Sequence, residues 1–184
     1  MYGPKGVGAL FVKDGISLEP IILGGGQEGG MRAGTENIPL IAGFTKAFEI
    51  CRKGETLDLQ KGLSLATTKE GQRLIEIRDE FFSKAKKLIP QIIFSGDLES
   101  RLPNNINISI PGQDGEMLVF RLDEAGIICS SASACASGSG ESYVVKNISN
   151  DSERSKSTLR FSMGRETKAK DINFLLKKLK EIVK

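Results

Sequence analysis

The sequence predicts an α/β beginning that passes, from about Pro90, into an α+β unit. Three observations predict it. Apolar runs of strand length and a glycine-rich loop lead into segments of helical period in the first part of the chain. After Pro90 the pattern changes to short alternating strands, turns and further amphipathic helices. With 184 residues, 39% of them hydrophobic and 27% charged, the chain is large and apolar enough to bury a core.

The first element is a glycine turn, Tyr2-Gly3-Pro4-Lys5-Gly6, running at once into an expected strand, Val7 to Val12. An elaborate turn this near the terminus reads as the start of a chain segment lying inside a larger fold. Asp14-Gly15 is a turn, and a second apolar run, Leu18 to Leu23, follows. Gly24 to Asn37 then places six glycines in fourteen residues. Such a loop lets backbone approach a ligand closely. It leads into a helix from about Ile38 to Arg52, with Leu40, Ile41, Phe44, Ala47, Phe48 and Cys51 at helical spacing and Pro39 in the first turn. Thr35 at this helix N-terminus fits either an anion site or a plain surface connection in which Thr35 or Asn37 is the N-cap.

A lead-in from Leu57 to Thr68 precedes a helix from Lys69 to Ile89, with Leu74, Ile77, Phe81, Ala85 and Leu88 on one face. Pro90 ends it. Strands are expected at Gln91 to Ser95 and at Asn105 to Ile110, where Ile106, Ile108 and Ile110 alternate. A helix from Gln113 to Glu124 turns Met117, Leu118, Phe120 and Leu122 inward. Ile127 to Cys129 is read as a buried strand opening a loop of small residues, Ser130 to Gly140, with Cys135 near its middle. A short helix, Ser142 to Ile148, a mobile connection, Asn150 to Ser157, and a strand, Thr158 to Met163, come next. Alternation along that strand turns Leu159, Phe161 and Met163 inward and Arg160 and Ser162 to the other face. The last helix, Lys168 to Val183, buries Ile172, Leu175, Leu176, Leu179, Ile182 and Val183.

Composition excludes several chemistries. There is no histidine, so zinc and iron sites of the histidine type, Ser-His-Asp triads and Cys-His pairs cannot form within this chain. Three cysteines at unrelated spacings make neither a disulfide framework nor a metal set. A net charge of +3 is too small to argue for nucleic acid or a membrane surface. No apolar run reaches the ~18 residues of a membrane span. A free-thiol chain of this kind is expected in the cytoplasm. Cys135 is the candidate nucleophile, because its small neighbours cannot bury it. Cys129 and Cys51 read as core. Arg160, alone in a short alternating strand, carries the group suited to a bidentate grip on a carboxylate, with a structural ion pair as the other reading.

Taken in order, Y-G-P-K-G-V-G-A-L-F-V, G-G-G-Q-E, M-R-A-G-T-E-N, G-D-L-E-S-R-L-P-N-N-I-N-I-S-I, S-S-A-S-A-C-A-S-G and L-R-F-S-M-G-R resemble the cysteine desulfurases of the NifS/IscS type. These are pyridoxal-phosphate enzymes of fold type I in the class V aminotransferase superfamily. The resemblance implies the C-terminal part of that fold. Residues 1–56 would be a remnant of the large cofactor-binding domain, 57–89 a connecting helical segment and 90–184 the small domain with the thiol loop. It implies that Cys135 takes sulfur from L-cysteine as a persulfide with release of L-alanine, and passes it to an iron–sulfur scaffold or a tRNA-thiolation protein. By the same resemblance Arg160 would hold the substrate carboxylate, and Thr35 the cofactor phosphate across a homodimer interface. The family's cofactor lysine would fall just before Met1, and Lys5 belongs to the turn. The chain alone is therefore expected to be inactive. Ala132 stands where the family's loop has glycine, and Gly29 where a charged residue is common. A non-enzymatic persulfide carrier and a selenocysteine lyase-like enzyme are the alternatives; a one-sulfur adduct on Cys135 without turnover would mark the first.

Overall fold

A computed structural model of the protein describes residues 2–52, 68–132 and 140–183, with the backbone alone at 51 and 52. The chain divides into two compact units, Met1–Glu55 and Thr56–Lys184.

The first unit holds one long helix, α1 (Ile38–Arg52), behind the glycine loop. Asn37 caps it: its Oδ1 accepts from the Leu40 N–H at 3.2 Å. Helix α1 turns Ala47 inward, leaves Leu40 and Phe44 half-buried, and exposes Ile41 and Phe48. The Cys51 side chain, expected in the core, lies outside the described residues. Val7 to Val12, expected as a strand, has no ladder partner among the described residues, and neither does Leu18 to Leu23. A strand stands on a ladder of cross-strand hydrogen bonds and a covered face, and among the described residues these runs have neither: Phe11 is 89% exposed and Ile21 95%.

The second unit is a three-stranded antiparallel sheet covered on one face by helices. Its elements are α2 (Lys69–Leu88), β1 (Ile93–Phe94), β2 (Asn105–Ser109), α3 (Gly115–Glu124), α4 (Tyr143–Ser149), α5 (Ser152–Lys156), β3 (Thr158–Ser162) and α6 (Ala169–Ile182). The sheet order is β1-β2-β3. Period-two alternation sorts its side chains. Ile106, Ile108, Leu159 and Phe161 join α2, α3 and α6 in a single core with Phe81, Leu118, Leu122, Leu175 and Leu179. The register places Asn107 opposite Arg160, on the face away from that core. The lead-in from Leu57 lies outside the described residues except for Thr68, whose Oγ1 caps α2 by accepting from the Gly71 N–H at 2.8 Å.

Helical period set the lengths well and the inward faces less well. In α2, Phe82 and, just past its end, Ile89 are buried, and Leu88 is exposed. In α3, Leu118 and Leu122 are buried while Met117 and Phe120 face outward. A ten-residue helix buries a narrow stripe, so Leu118 and Leu122, an i, i+4 pair, carry its core contact with Val119 partly buried beside them.

Two further expectations are corrected. Ile127 to Cys129 is not a strand; only Ser130 makes a bridge, to Arg160. Gly126, at φ +78°, turns the chain away from the sheet until that point. The stretch Asn150 to Ser157 is not a loose connection. Asp151 caps α5 through the Arg154 N–H at 3.1 Å. Ser155 and Ser157 are buried, with the Ser155 hydroxyl donating to the Ser152 carbonyl at 2.8 Å. Polar composition hid this order, because the hydroxyls find backbone acceptors instead of water.

Gly115, the first residue of α3, sits against the backbone between α5 and β3. A Cβ there would lie 2.6 Å from the Lys156 carbonyl oxygen and 3.0 Å from that of Thr158. Neither carbonyl can swing away without disturbing α5 or β3. Gly115→Ala is expected to lower stability by about 1–3 kcal/mol, read as a fall in the urea midpoint at unchanged slope. A midpoint at or above that of the parent chain would show that α3 is free to shift.

Candidate functional site

The open face of the sheet floors a cavity of about 410 Å³. Asn105 and Asn107 of β2 and Arg160 of β3 form the floor, the loop from Ser95 to Arg101 one wall, and Ser131, Ala132 and α4 the other. The cavity lies wholly within the second unit.

Arg160 is exposed, and among the described residues its guanidinium makes no hydrogen bond or ion pair. Its backbone does the positioning. Its N–H donates to the Ser130 carbonyl at 2.7 Å, and its carbonyl accepts from the Ser130 N–H at 3.1 Å. The same pair fixes the entry of the small-residue loop beside the guanidinium. Cys135 lies outside the described residues, within 133–139. Both ends of that segment are described. Ala132 lines the cavity. Beyond the loop, Glu141 accepts from Lys146 Nζ at 2.7 Å and from the Ser152 hydroxyl at 2.8 Å. The Lys146 hydrogen bond first, then Ser152 and Lys156, hold its carboxyl down at about 2, so it stays an anion that ties the loop's exit to α4 and α5.

Cys129 is half-buried against the core and is a free thiol. Burial first, and the charge of Asp123 second, push it up to about 11. At pH 8 about one such thiol in a thousand is ionised, against about a quarter of an ordinary thiol near 8.5. The greater nucleophilicity of the more basic thiolate offsets roughly tenfold of that difference. Cys129 is therefore expected to react with iodoacetamide about twentyfold slower than an unperturbed thiol at pH 8, read by peptide mass spectrometry over time. Labelling of Cys129 at the ordinary rate would contradict its half-buried placement.

Thr35 is exposed in the first unit, in the loop before α1. Asn37, not Thr35, takes the capping bond. The glycine loop is folded by Gln27, whose Oε1 accepts from the Gly34 N–H at 3.1 Å, and by the Ala33 N–H donating to the Ile22 carbonyl at 3.1 Å.

Of this lining, sequence reasoning singled out Arg160 and the thiol loop and missed the rest, Asn107, Ser95 and Arg101 among them. Asn107 was visible in principle, since alternation that turns Ile106 and Ile108 inward turns Asn107 toward Arg160. Ser95 and Arg101 come together through a loop whose path no periodicity records.

A carboxylate is the group this cavity suits, with a free guanidinium on the floor and hydroxyls and amides around it. Pyridoxal phosphate is a different matter. It needs an amine for its aldehyde, and among the described residues no lysine lines the cavity. The residues described do not by themselves fit that cofactor.

Residues 1–175 match the family model described as aminotransferase class-V. The chain is 39% identical over 183 residues to the cysteine desulfurase IscS of Dictyoglomus turgidum, covering 99% of this chain and 43% of the relative. It is 41% identical over 186 residues to cysteine desulfurase IscS 1 of Archaeoglobus fulgidus, covering 100% of this chain and 45% of the relative. The chain thus spans less than half the length of these curated relatives. Among solved structures, a NifS-like protein superposes with a TM-score of 0.79 at 28% identity, over 98% of this chain and 43% of that one. A structure described as SspA in complex with cysteine superposes with a TM-score of 0.55 at 29% identity, over 88% of this chain and 41% of that one.

Proposed function

The chain belongs to the aminotransferase class-V family, alongside its cysteine desulfurases, and on that premise we propose that it supplies the thiol and the substrate grip of a cysteine desulfurase. The sulfur of L-cysteine passes to Cys135: the substrate Cβ–S bond breaks, an S–S bond forms on Cys135, and alanine is released. The persulfide then passes to an acceptor such as an iron–sulfur scaffold. One observation carries this reading. The mutual backbone pair between Ser130 and Arg160 holds the entry of the thiol loop beside an unpartnered guanidinium. A substrate whose carboxylate rests on Arg160 is then within the compass of a loop that starts five residues before Cys135.

Arg160 binds and orients the carboxylate. The small residues around Cys135 leave the thiol room to approach and depart. Glu141 anchors the far end of the loop on α4 and α5. The family's cofactor, held by residues outside this cavity, would supply the electron withdrawal that weakens the bonds of the substrate. Because no described residue of the cavity offers its amine, we assign that part to residues outside the cavity, and no step of this chain is routed through it. Thr35 is the residue of the first unit we assign to the cofactor phosphate, and assembly as a homodimer in the cytoplasm belongs to the same reading.

The test is a chimera in which this chain replaces the matched 43% of the Dictyoglomus turgidum relative. Alanine formed from L-cysteine is measured for the chimera and for the chain alone. Turnover in the chimera with none in the chain alone supports the reading. A one-sulfur adduct on Cys135 from a persulfide donor, with an inactive chimera, would select the carrier.

A further inference from the structure

Arg160 is not the only guanidinium facing the cavity. Arg101 lines it as well, from the loop after β1. One of its nitrogens, Nη2, donates to Asn105 Oδ1 at 3.2 Å, and its plane lies 5.0 Å from the centre of the Phe82 ring. Its other two nitrogens, Nε and Nη1, are shielded from solvent and meet no acceptor among the described residues. Ser95 is 5% exposed, lines the same cavity, and its hydroxyl also has no partner. Asn107 Oδ1 beside Arg160 is the fourth such atom of the lining, an acceptor where the other three can donate. Shielded donors left open in one cavity are costly, and a ligand that meets them recovers the cost.

The charges around the cavity favour an anion. Among the described residues Asp97 is the only acid of its lining, and its Oδ1 is taken by the backbone N–H groups of Glu99 and Ser100, at 2.7 and 2.6 Å. Behind Arg101 stands Arg78, buried and paired with Asp79 through Nε at 2.8 Å. Burial first, and the like charge of Arg78 second, push the Arg101 guanidinium down from its ordinary range. A negative group placed on it would relieve both effects.

We infer that the cavity carries a second anion subsite at Arg101 and Ser95, so that it takes a small molecule with two anionic groups, one of them on Arg160. The inference rests on Arg160 as a carboxylate grip and adds a selectivity that the grip alone does not have.

The probes are succinate and monomethyl succinate, which share a skeleton and differ by one negative group. Their affinities for the full chain are measured by calorimetry and by the shifts of the arginine Nε–H signals in NMR. Succinate is expected to bind at least about tenfold tighter, the worth of one added charge-assisted hydrogen-bonded contact. Arg101→Gln should remove that preference, and Arg101→Lys should restore part of it. Ser95→Ala, which leaves the stacked arginine in place, should reduce the preference several-fold and serves if Arg101→Gln does not fold, as judged by circular dichroism. Equal affinities in the parent chain, no binding of either probe, or a preference that survives both Arg101→Gln and Ser95→Ala would overturn the subsite. Arg160→Gln should weaken both probes. If it leaves monomethyl succinate unaffected while the Arg101 effect persists, the reading of Arg160 fails and the subsite stands.

Discussion

Cys135→Ala in the chimera is expected to abolish the one-sulfur adduct and to lower alanine formation by about 10⁴-fold or more, the scale on which covalent catalysis fails when its nucleophile is removed. The reason is the lack of a substitute. Cys129, the other thiol near this end of the second unit, is held at about 11 by burial and by Asp123, and it packs against the core. It has neither the ionised fraction nor the freedom to replace a loop thiol. Carboxylate binding supplies a control, because Arg160 and the cavity floor do not depend on Cys135. The variant should therefore bind monomethyl succinate as the parent does while forming no adduct. Mass spectrometry of the intact chimera after incubation with L-cysteine reads the result. An adduct of the same mass in Cys135→Ala would move the sulfur to another thiol and remove the loop from the mechanism.

How much of this was legible in the sequence depends on which forces set each element. Helices with a local period and a local stop were readable: Thr68 and Pro90 bracket α2 almost to the residue, and α1 runs over Ile38–Arg52 as its spacing predicts. The strands of the second unit were readable because their alternation is satisfied within that unit, and β2 and β3 pair across it. The strand expected at Val7 failed for the complementary reason. Its pattern asks for a ladder and a covered face, and the described residues of the first unit give it neither. The cavity was half legible. Arg160 stood out as a charge breaking an apolar alternation, but Arg101 and Ser95 lie in a turn-rich loop. Their significance appears only as shielded polar atoms without partners, a property of packing.

Arg160→Gln is the second large expected effect. The guanidinium is exposed and free of ion pairs among the described residues, so it gives up no internal partner on binding. That is a different case from a buried ion pair, where removing one member strands the other. The loss is therefore that of the ligand contact itself: a bidentate, charge-assisted pair worth about 3 kcal/mol in a half-open cavity, or about a hundredfold in kcat/KM. The contact exists before and during the reaction alike, so the loss falls mainly on KM. Glutamine keeps a donor and much of the stem but neither the charge nor the fork. Lysine keeps the charge without the fork and should recover only part of the loss. The decisive comparison is L-cysteine against its methyl ester in the chimera. The parent should discriminate between them strongly, and Arg160→Gln should treat them nearly alike. If the variant still prefers the free acid by the parent's margin, the carboxylate rests elsewhere in the cavity, and Arg101, the other guanidinium lining it, becomes the residue to replace next.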